Sequence, residues 1–478
     1  MSQKNETGIL LLTLLITVGL LGAGIWWLTN RSGLNLGSLS QKNQSSPSSQ
    51  GANSPQSNQQ IQERLSAGEK VLILEEGTTA KVAGAEAFAS GNYNSAVSDF
   101  EDSLKAKRND PEALIYLNNA RIGNQKSYTI AVCVPIGSDV NASLEILRGV
   151  AQAQNEINLA GGINSVPLKL LIANDDNSPE VAQQVAGNLT NNSQVLGVVG
   201  HFGSEATLAA SKVYQQSQLV AISPTSTSVQ LSGVGNYIFR TVPSDRFAAN
   251  ALSRYMLKTL RKQRAAIFFN SSSSYSKSLK DEFTTALYGD GGQVVGEFDL
   301  ANSNFNAAND YKKAIAQKAE VVMLASNSAS LDKALQVVRV NSDRLQLLAG
   351  DSAYSAKTLQ VGASDATGMV LAVPWHILAD SQSEFPKASA RLWGSEINWR
   401  TALAYDAAIA LIGGLERNST RAGIQQALSG ADFSAKGASG TIQFLPSGDR
   451  NRAVQLVTIK SGKRTSYGCE FVPIPGGD

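Results

Sequence analysis

Residues 195–222 read VLGVVGHFGSEATLAASKVYQQSQLVAI, which is an apolar run, an amphipathic stretch and a second apolar run. The two apolar runs predict buried strands over residues 195–200 and 219–222, because both are short and bounded by polar residues. The stretch between them predicts a helix over residues 205–216. Strands joined by a helix pair in parallel, so this segment predicts a sheet covered by helices.

The same alternation extends on both sides of this segment. Further strands are predicted over residues 128–134, 168–173, 265–269, 294–298, 321–324, 345–348 and 369–373. Further helices are predicted over residues 143–159, 179–191, 246–260, 276–288, 306–317 and 330–339. Continuous apolar strands that alternate with helices predict an α/β fold with parallel, doubly wound sheets. The strands are too many for one ordinary open sheet, so we expect two lobes.

Composition narrows the classes of function. The 478-residue chain has a net charge of +2, 42% hydrophobic residues and 17% charged residues, as a folded globular chain does. Its basic residues are scattered, which argues against a nucleic-acid partner. With two histidines and two cysteines, Cys133 and Cys469, neither a metal site nor a disulfide framework is expected, although one bridge between these cysteines stays open. Because phosphate-loop, nucleophile-elbow and zinc-protease motifs are absent, the sequence predicts a protein that is not an enzyme and binds no cofactor.

The N-terminus carries an apolar run, residues 8–28, which is long enough to cross a bilayer as a helix. It predicts a transmembrane anchor over residues 1–30; a cleaved signal peptide is the alternative. Residues 31–60, rich in Ser, Asn and Gln, predict a disordered tether. We expect a single-pass protein of the inner or plasma membrane, with its folded mass in the periplasm or outside the cell.

Residues 61–126 predict a small all-α module. Gly91, Tyr93, Ala96 and Phe100 match the small and aromatic positions of a tetratricopeptide repeat, and the match extends over about one and a half repeats. Such arrays need about three units to be stable alone. A short helical bundle packed against its neighbour is therefore favoured over a peptide-binding groove, and a protein partner at this module stays open.

Polar residues follow several predicted strands, where ligands of open α/β sheets bind. Ser204 and the run Thr225-Ser226-Thr227 follow two strands of the first half, whereas Tyr275 and Asp351 follow two strands of the second. Hydroxyl groups suit a carboxylate, and a lone carboxylate suits an ammonium group. Together they predict a site for a small zwitterion. Taken singly, each Ser or Thr could instead cap a helix or turn.

Several of these segments, taken in order, resemble one family. They are NEINLAGGINSVPLKLLIANDDNSPEVA (155–182), VVGHFGSEATLAASKVY (198–214), AISPTSTSVQL (221–231), FRTVPSD (239–245), GDSAYS (350–355) and ALAYDAAIALI (402–412). The chain from about residue 127 resembles the type I periplasmic binding proteins, in the leucine/isoleucine/valine- and amino-acid-binding branch of ABC transporter receptors. The resemblance implies two lobes joined by three crossovers, lobe 1 at about 127–245 and 376–440, lobe 2 at about 246–375 and 441–478.

The resemblance also implies a role for each candidate residue. Ser204 and Thr227 fall where the family binds the ligand carboxylate, helped by the backbone of Thr225 and Ser226. Tyr275 falls where a tyrosine covers the ligand, and Asp351 where an acid pairs with the α-ammonium group. Asn327 stands where an aromatic residue is common, so side-chain specificity is not readable.

Two functions follow as expectations. The first is an extracytoplasmic solute-binding protein that captures an amino acid or similar small polar ligand by cleft closure and delivers it to an ABC permease. The alternative is a membrane-anchored sensor or scaffold receptor that is not coupled to transport.

Overall fold

The computed structural model describes residues 55–380 and 382–475. The predicted anchor over residues 1–30 therefore lies outside the described residues, as do residues 31–54 of the tether. Within the described ranges, no helix is both long and apolar enough to cross a membrane. The helices, in chain order, are α1 (Pro55–Gln62), α2 (Thr79–Ala89), α3 (Tyr93–Ala106), α4 (Pro111–Ile122), α5 (Val140–Leu159), α6 (Pro179–Asn191), α7 (Ser204–Gln216), α8 (Asp245–Arg254), α9 (Ser274–Gly289), α10 (Ala307–Ala316), α11 (Leu331–Asn341), α12 (Ala356–Gly362), α13 (Glu384–Trp393), α14 (Trp399–Arg417) and α15 (Arg421–Ser429).

The strands form two main sheets and one hairpin. In chain order they are β1 (Leu65–Ser66), β2 (Tyr128–Val134), β3 (Leu168–Asn174), β4 (Val195–Val199), β5 (Val220–Ser223), β6 (Ile238–Arg240), β7 (Arg264–Phe269), β8 (Gln293–Asp299), β9 (Val321–Ala325), β10 (Gln346–Ala349), β11 (Val370–Val373), β12 (Ala435–Gly437), β13 (Gly440–Ile442), β14 (Gln455–Ser461) and β15 (Cys469–Pro473). The first sheet has the order β1-β3-β2-β4-β5-β6, and the second has the order β15-β14-β11-β10-β9-β7-β8.

The predicted α/β architecture with parallel sheets is confirmed. All strands predicted from apolar runs are present, and they pair in parallel within each sheet. The sheets are nevertheless mixed, because β1, β14 and β15 pair antiparallel at their edges. Those three strands, like β6 and the β12–β13 hairpin, were not predicted.

The long helix α14 is fixed against α5 by a glycine. A Cβ atom at Gly149 would lie 2.2 Å from the carbonyl oxygen of Thr401, so only glycine permits this close approach of the two helices. Asn398 caps α14, because its side chain accepts a hydrogen bond from the amide of Arg400. The first turn of α14 is thereby held in place, which matters for the cavity described below.

The predicted tether, residues 31–60, is wrong at its C-terminal end, because residues 55–60 belong to helix α1. Pro55 occupies the first turn, where its fixed φ favours a helix, and Ile61 is buried against the first sheet. Burial of the Ile61 side chain offsets the entropy cost of ordering this polar helix. Composition alone does not reveal that contribution, because it comes from one residue at the end of the segment.

The segment predicted as an all-α module also contains a strand. Leu65 and Ser66 form β1, which pairs with β3 of the first sheet. Asn119 of α4 joins the same edge, since its Nδ2 donates to the carbonyl oxygens of Ala67 (2.6 Å) and Leu170 (2.7 Å). The described residues accordingly form one compact unit. The likeness to a tetratricopeptide repeat stays a prediction.

A buried ionic cluster lies within the helical segment. The ammonium group of Lys81 is fully buried and lies 2.8 Å from Asp110 and 2.7 Å from Glu112. Glu112 also accepts hydrogen bonds from the amide of Leu72 (2.6 Å) and the hydroxyl of Tyr116 (2.8 Å). Both partners of the lysine are therefore themselves satisfied, as a buried ion pair requires.

The two cysteines do not form a bridge. Cys133 lies in β2 of the first sheet and Cys469 in β15 of the second, and both thiols are free and buried. Cys133 is therefore a thiol of the core, and the alternative of a Cys133–Cys469 disulfide is wrong.

Candidate functional site

A cavity of about 60 Å³, partly open to solvent, lies between the two main sheets. Loops that follow β4 and β5 form one wall, and loops that follow β9 and β10, together with the start of α9, form the opposite wall. The start of α14 completes it. Four of the six predicted residues line this cavity, namely Ser204, Thr225, Tyr275 and Asp351. The structure therefore brings residues far apart in sequence to one place, at the carboxyl ends of the strands.

The first-sheet wall is held by side chains that bond the backbone. Ser204 is the first residue of α7 and does not cap it, because the cap position is Gly203. Its Oγ accepts a hydrogen bond from the amide of Ser228 (3.3 Å), and Thr225 Oγ1 donates to the carbonyl oxygen of Phe202 (2.8 Å). The two hydroxyl groups thus hold the loops that follow β4 and β5 against each other while lining the cavity.

Ser226 and Thr227 do not line the main cavity. Ser226 Oγ lies 2.7 Å from Thr207 Oγ1, and this hydrogen bond lies beneath the loop, away from the cavity. Thr227 Oγ1 is buried and makes no hydrogen bond of good geometry among the described residues, although its approach to the carboxyl of Asp245 lowers the pKa of that group. Thr227 instead lines a smaller space that also borders Asp245, Tyr275 and Asp351. The Thr227 hydroxyl group therefore lies next to the main cavity but not on its wall.

The second-sheet wall centres on a tyrosine–aspartate pair. The hydroxyl of Tyr275 donates to Asp351 Oδ1 at 2.7 Å. Asp351 is 7% exposed, and burial raises its pKa to about 6, although the Tyr275 hydroxyl and the positive charge of Arg400 oppose that rise. At neutral pH the group is a buried carboxylate that would gain from a positive partner.

Asp245 is a further acid beside this pair. It is 2% exposed, its Oδ2 has no hydrogen-bond partner among the described residues, and burial raises its pKa to about 7. The nearby charge of Asp351 adds to that rise. The interior of the cleft thus holds two buried carboxyl groups close to Thr227.

A buried histidine supports the first-sheet loop from below. His201 Nδ1 contacts the carboxylate of Asp175, and its Nε2 lies 2.9 Å from the hydroxyl of Tyr214. Burial opposes the charge on the ring, yet Cys133 and Asp175 raise the pKa of His201 to about 10. The His201 carbonyl oxygen accepts a hydrogen bond from Ser223 Oγ at 2.8 Å, so this network fixes the loop that carries Ser204.

Two hydrogen bonds join the walls directly. The carboxylate of Glu205 in α7 accepts from the amide of Ser274 at the start of α9. The amide of Val229 donates to Ser278 Oγ at 3.0 Å. The two halves of the cleft are therefore in contact across the cavity.

Sequence reasoning missed Glu205, Trp399 and Arg400, all of which line the cavity. Trp399 and Arg400 are the first two residues of α14 and follow no strand, so the rule that polar residues at strand ends form the site does not include them. One signal was present. A positive side chain in the first turn of a helix opposes the helix dipole, and Arg400 holds that unfavourable position.

Residues 127–464 match the family of periplasmic binding proteins, and this stretch is well over half of the chain. The chain belongs to that family. A relative in Pseudomonas aeruginosa, named an amino acid binding protein, is 33% identical over 146 residues, which are 30% of this chain and 39% of that protein. The leucine-specific-binding protein of Salmonella typhimurium is 26% identical over 232 residues, 48% of this chain and 61% of that one. This periplasmic binding protein therefore spans less than two thirds of either curated relative.

A solved structure has the same fold. An ABC transporter substrate-binding protein from Desulfitobacterium hafniense, in complex with Leu, aligns with a TM-score of 0.63 at 24% identity. The alignment covers 73% of this chain and all of that one. This likeness shows the fold of the periplasmic binding protein.

Proposed function

We propose that this periplasmic binding protein is an extracytoplasmic solute-binding protein. It captures an amino acid or a similar small polar ligand between its two sheets and delivers it to an ABC-type permease. The observation that carries the proposal is the cavity itself, with hydroxyl groups on one wall and a buried carboxylate on the other. The names of the relatives agree with an amino-acid ligand.

The ligand carboxylate binds at the first-sheet wall in this mechanism. Ser204 and Thr225 supply hydroxyl groups there, and the start of α7 supplies the positive end of a 13-residue helix. The buried hydroxyl of Thr227 makes no hydrogen bond of good geometry among the described residues. A change of its side-chain rotamer would let it donate to the ligand carboxylate. Ser226 acts through its contacts beneath the loop, because its own hydroxyl is already engaged.

The ligand ammonium group binds at the second-sheet wall. Asp351 accepts it as a charge-assisted hydrogen bond, and Tyr275 orients the carboxylate through its hydroxyl. The charge of Arg400 stabilises this carboxylate without contacting it, and the ligand ammonium group adds a direct counter-ion, so binding lowers the cost of its burial.

Closure follows from the division of the site between two lobes. We assign lobe 1 to about 127–245 and 376–452, and lobe 2 to about 246–375 and 453–478, joined by three crossovers. The last boundary lies beyond the expected residue 440, because β13 pairs with β12 and Arg450 bonds Asp406 of α14. The Glu205–Ser274 and Val229–Ser278 contacts form only when the lobes meet. Ligand contacts made in that state alone shift the equilibrium towards it.

The experiment is calorimetric titration of the full-length chain in detergent with a panel of amino acids, amides and urea. Saturable binding of an amino acid that Asp351→Asn removes would support the proposal. Asp343→Asn is the matched control, because Asp343 is exposed and does not line the cavity. If no compound of the panel binds, the proposed function is wrong. If an amino acid binds and Asp351→Asn leaves its affinity unchanged, the assignment of the site is wrong.

A further inference from the structure

Arg400 is a buried cation on the wall of the cavity. Its side chain is 6% exposed, stacks over the ring of Trp399 at 4.5 Å and donates from Nη1 to the carbonyl oxygen of Tyr354 at 3.2 Å. Its Nε has no hydrogen-bond partner among the described residues. Within the same part of the chain, no carboxylate forms an ion pair with its guanidinium group. A guanidinium group that loses its water needs an anion, and this one has only a carbonyl oxygen.

A second donor on the same wall is also unsatisfied. Trp399 is 2% exposed and lines the cavity, and its indole N–H finds no acceptor among the described residues. Trp399 and Arg400 are the first two residues of α14, a helix of 19 residues. The positive end of the helix dipole and two side chains that lack an acceptor therefore coincide at one point.

The other charges of the cavity do not satisfy Arg400. Among the described residues that line it, only Glu205, Asp351 and Arg400 carry charge at neutral pH. Glu205 is engaged with the amide of Ser274 at the start of α9, and Asp351 accepts from Tyr275. Both carboxylates thus have local donors. The positive charge of Arg400 lowers the pKa of Asp351, but among the described residues no carboxylate contacts the guanidinium group directly.

We propose that the start of α14 is an acceptor site for a second carboxylate of the ligand, with Arg400 as its specificity-determining residue. The inference rests on the proposed function and narrows its ligand to an acidic amino acid, of the class of glutamate and aspartate. The α-carboxylate and ammonium group bind at Ser204, Thr225 and Asp351, as in a neutral amino acid. The side-chain carboxylate binds Arg400, which then has the anion that the protein lacks.

The test compares acidic amino acids with their amides by calorimetry, using the full-length chain. We expect glutamate or aspartate to bind about 100-fold more tightly than glutamine or asparagine, as a buried charge pair would provide. Arg400→Gln should remove that difference. It should also weaken binding of the amide at neutral pH, because the pKa of Asp351 rises without the nearby positive charge, but by less than it weakens binding of the acid. Arg400→Lys, which keeps the charge but loses the planar fork, should restore part of the preference. Arg344→Gln removes the same charge from an exposed site and should change neither affinity.

Thermal unfolding without ligand separates binding from folding. Removal of an unpaired buried charge should leave the Tm of Arg400→Gln equal to that of the wild type or above it. A lower Tm with equal loss of affinity for every ligand would show a packing role and overturn the inference.

Three further outcomes are informative. Neutral amino acids that bind as tightly as glutamate, with all of them weakened alike by Arg400→Gln, would overturn the second carboxylate and leave the proposed function standing. Glutarate that binds as tightly as glutamate would overturn the amino-acid class, because it lacks the ammonium group. Binding of no amino acid at all would instead defeat the proposed function.

Discussion

Two buried cations of this protein differ in what surrounds them. Lys81, in the helical segment, is fully buried between the carboxylates of Asp110 and Glu112. Arg400, in the cavity, is 6% exposed and bonds one carbonyl oxygen. Burial alone would lower the pKa of Lys81, but Glu112 and Asp110 raise it above its usual value. A cation with its own counter-ions belongs to the folded architecture, whereas one without them is available to a ligand.

The largest expected effect is on folding at the paired cation. Lys81→Met leaves two buried carboxylates without their counter-ion, which should lower the free energy of unfolding by about 4 kcal/mol. Arg400→Met should lower it by less than about 1 kcal/mol, because no ion pair is broken there. Urea denaturation of both variants measures the contrast. If both variants lose the same free energy of unfolding, the two cations do not differ in their contribution to folding.

The next effect is on binding at Asp351. Asp351→Ala should weaken amino-acid binding by about 3 kcal/mol, because a buried ammonium group loses its partner. Calorimetry of the wild type and the variant measures this change. Lys81→Met, assayed under conditions in which it remains folded, should bind as the wild type does. A larger loss of affinity in Lys81→Met than in Asp351→Ala would contradict the division of roles.

A smaller effect is the pH dependence of binding. The pKa of Asp351 is about 6 in the folded chain, so its charged form is scarce at pH 5 and predominates at pH 8. Affinity should therefore fall by about tenfold from pH 8 to pH 5. Titrations at several pH values test this, and an affinity that rises as the pH falls would exclude an ammonium partner at Asp351.

The stability of the ligand-free chain depends on pH in the opposite direction to the binding affinity. Since burial raises the pKa of Asp351 above its usual value of 3.8, the folded state binds its proton more tightly than the unfolded state does. This contribution to stability is present at low pH and is lost as the pH rises from about 4 to about 6. The ligand would replace the lost proton with its ammonium group.

The smallest effect is at Tyr275. Tyr275→Phe removes the hydroxyl that stabilises the Asp351 carboxylate, so the pKa of Asp351 should rise further. The midpoint of the pH dependence should then lie above that of the wild type, while affinity at pH 8 falls by about 1 kcal/mol or less. Titrations of both proteins across this range measure the midpoint. A downward shift would show that the Tyr275 hydroxyl does not donate to Asp351.

The sequence predicted the parallel strands because each is a short apolar run bounded by polar residues, as a strand buried on both faces must be. It did not reveal β1, which has two residues, or β6, which has three, because so short a run carries no period. Strand β14, QLVTIKS, lies at the antiparallel side of its sheet and mixes buried, partly buried and exposed residues, a pattern unlike the continuous apolar runs of the parallel strands.

The site was predictable where a residue follows a strand. Tyr275 and Asp351 were found on that basis, and both line the cavity. Arg400 was not, since it reaches the cavity from the start of a helix whose placement depends on tertiary packing at Gly149. Which hydroxyl groups remain available was also unreadable, because the engagement of Ser226 with Thr207 is set by loops distant in sequence.

The strand formed by Leu65 and Ser66 has a consequence for solubility. A sheet edge exposes unpaired amide and carbonyl groups that can recruit another chain and begin aggregation. In the first sheet, β1 covers the outer edge of β3, a strand of seven residues rich in Leu and Ile. Two residues joined to a helical segment thus act as a cap against edge-to-edge association, and a fragment that begins at residue 127 would leave that edge open.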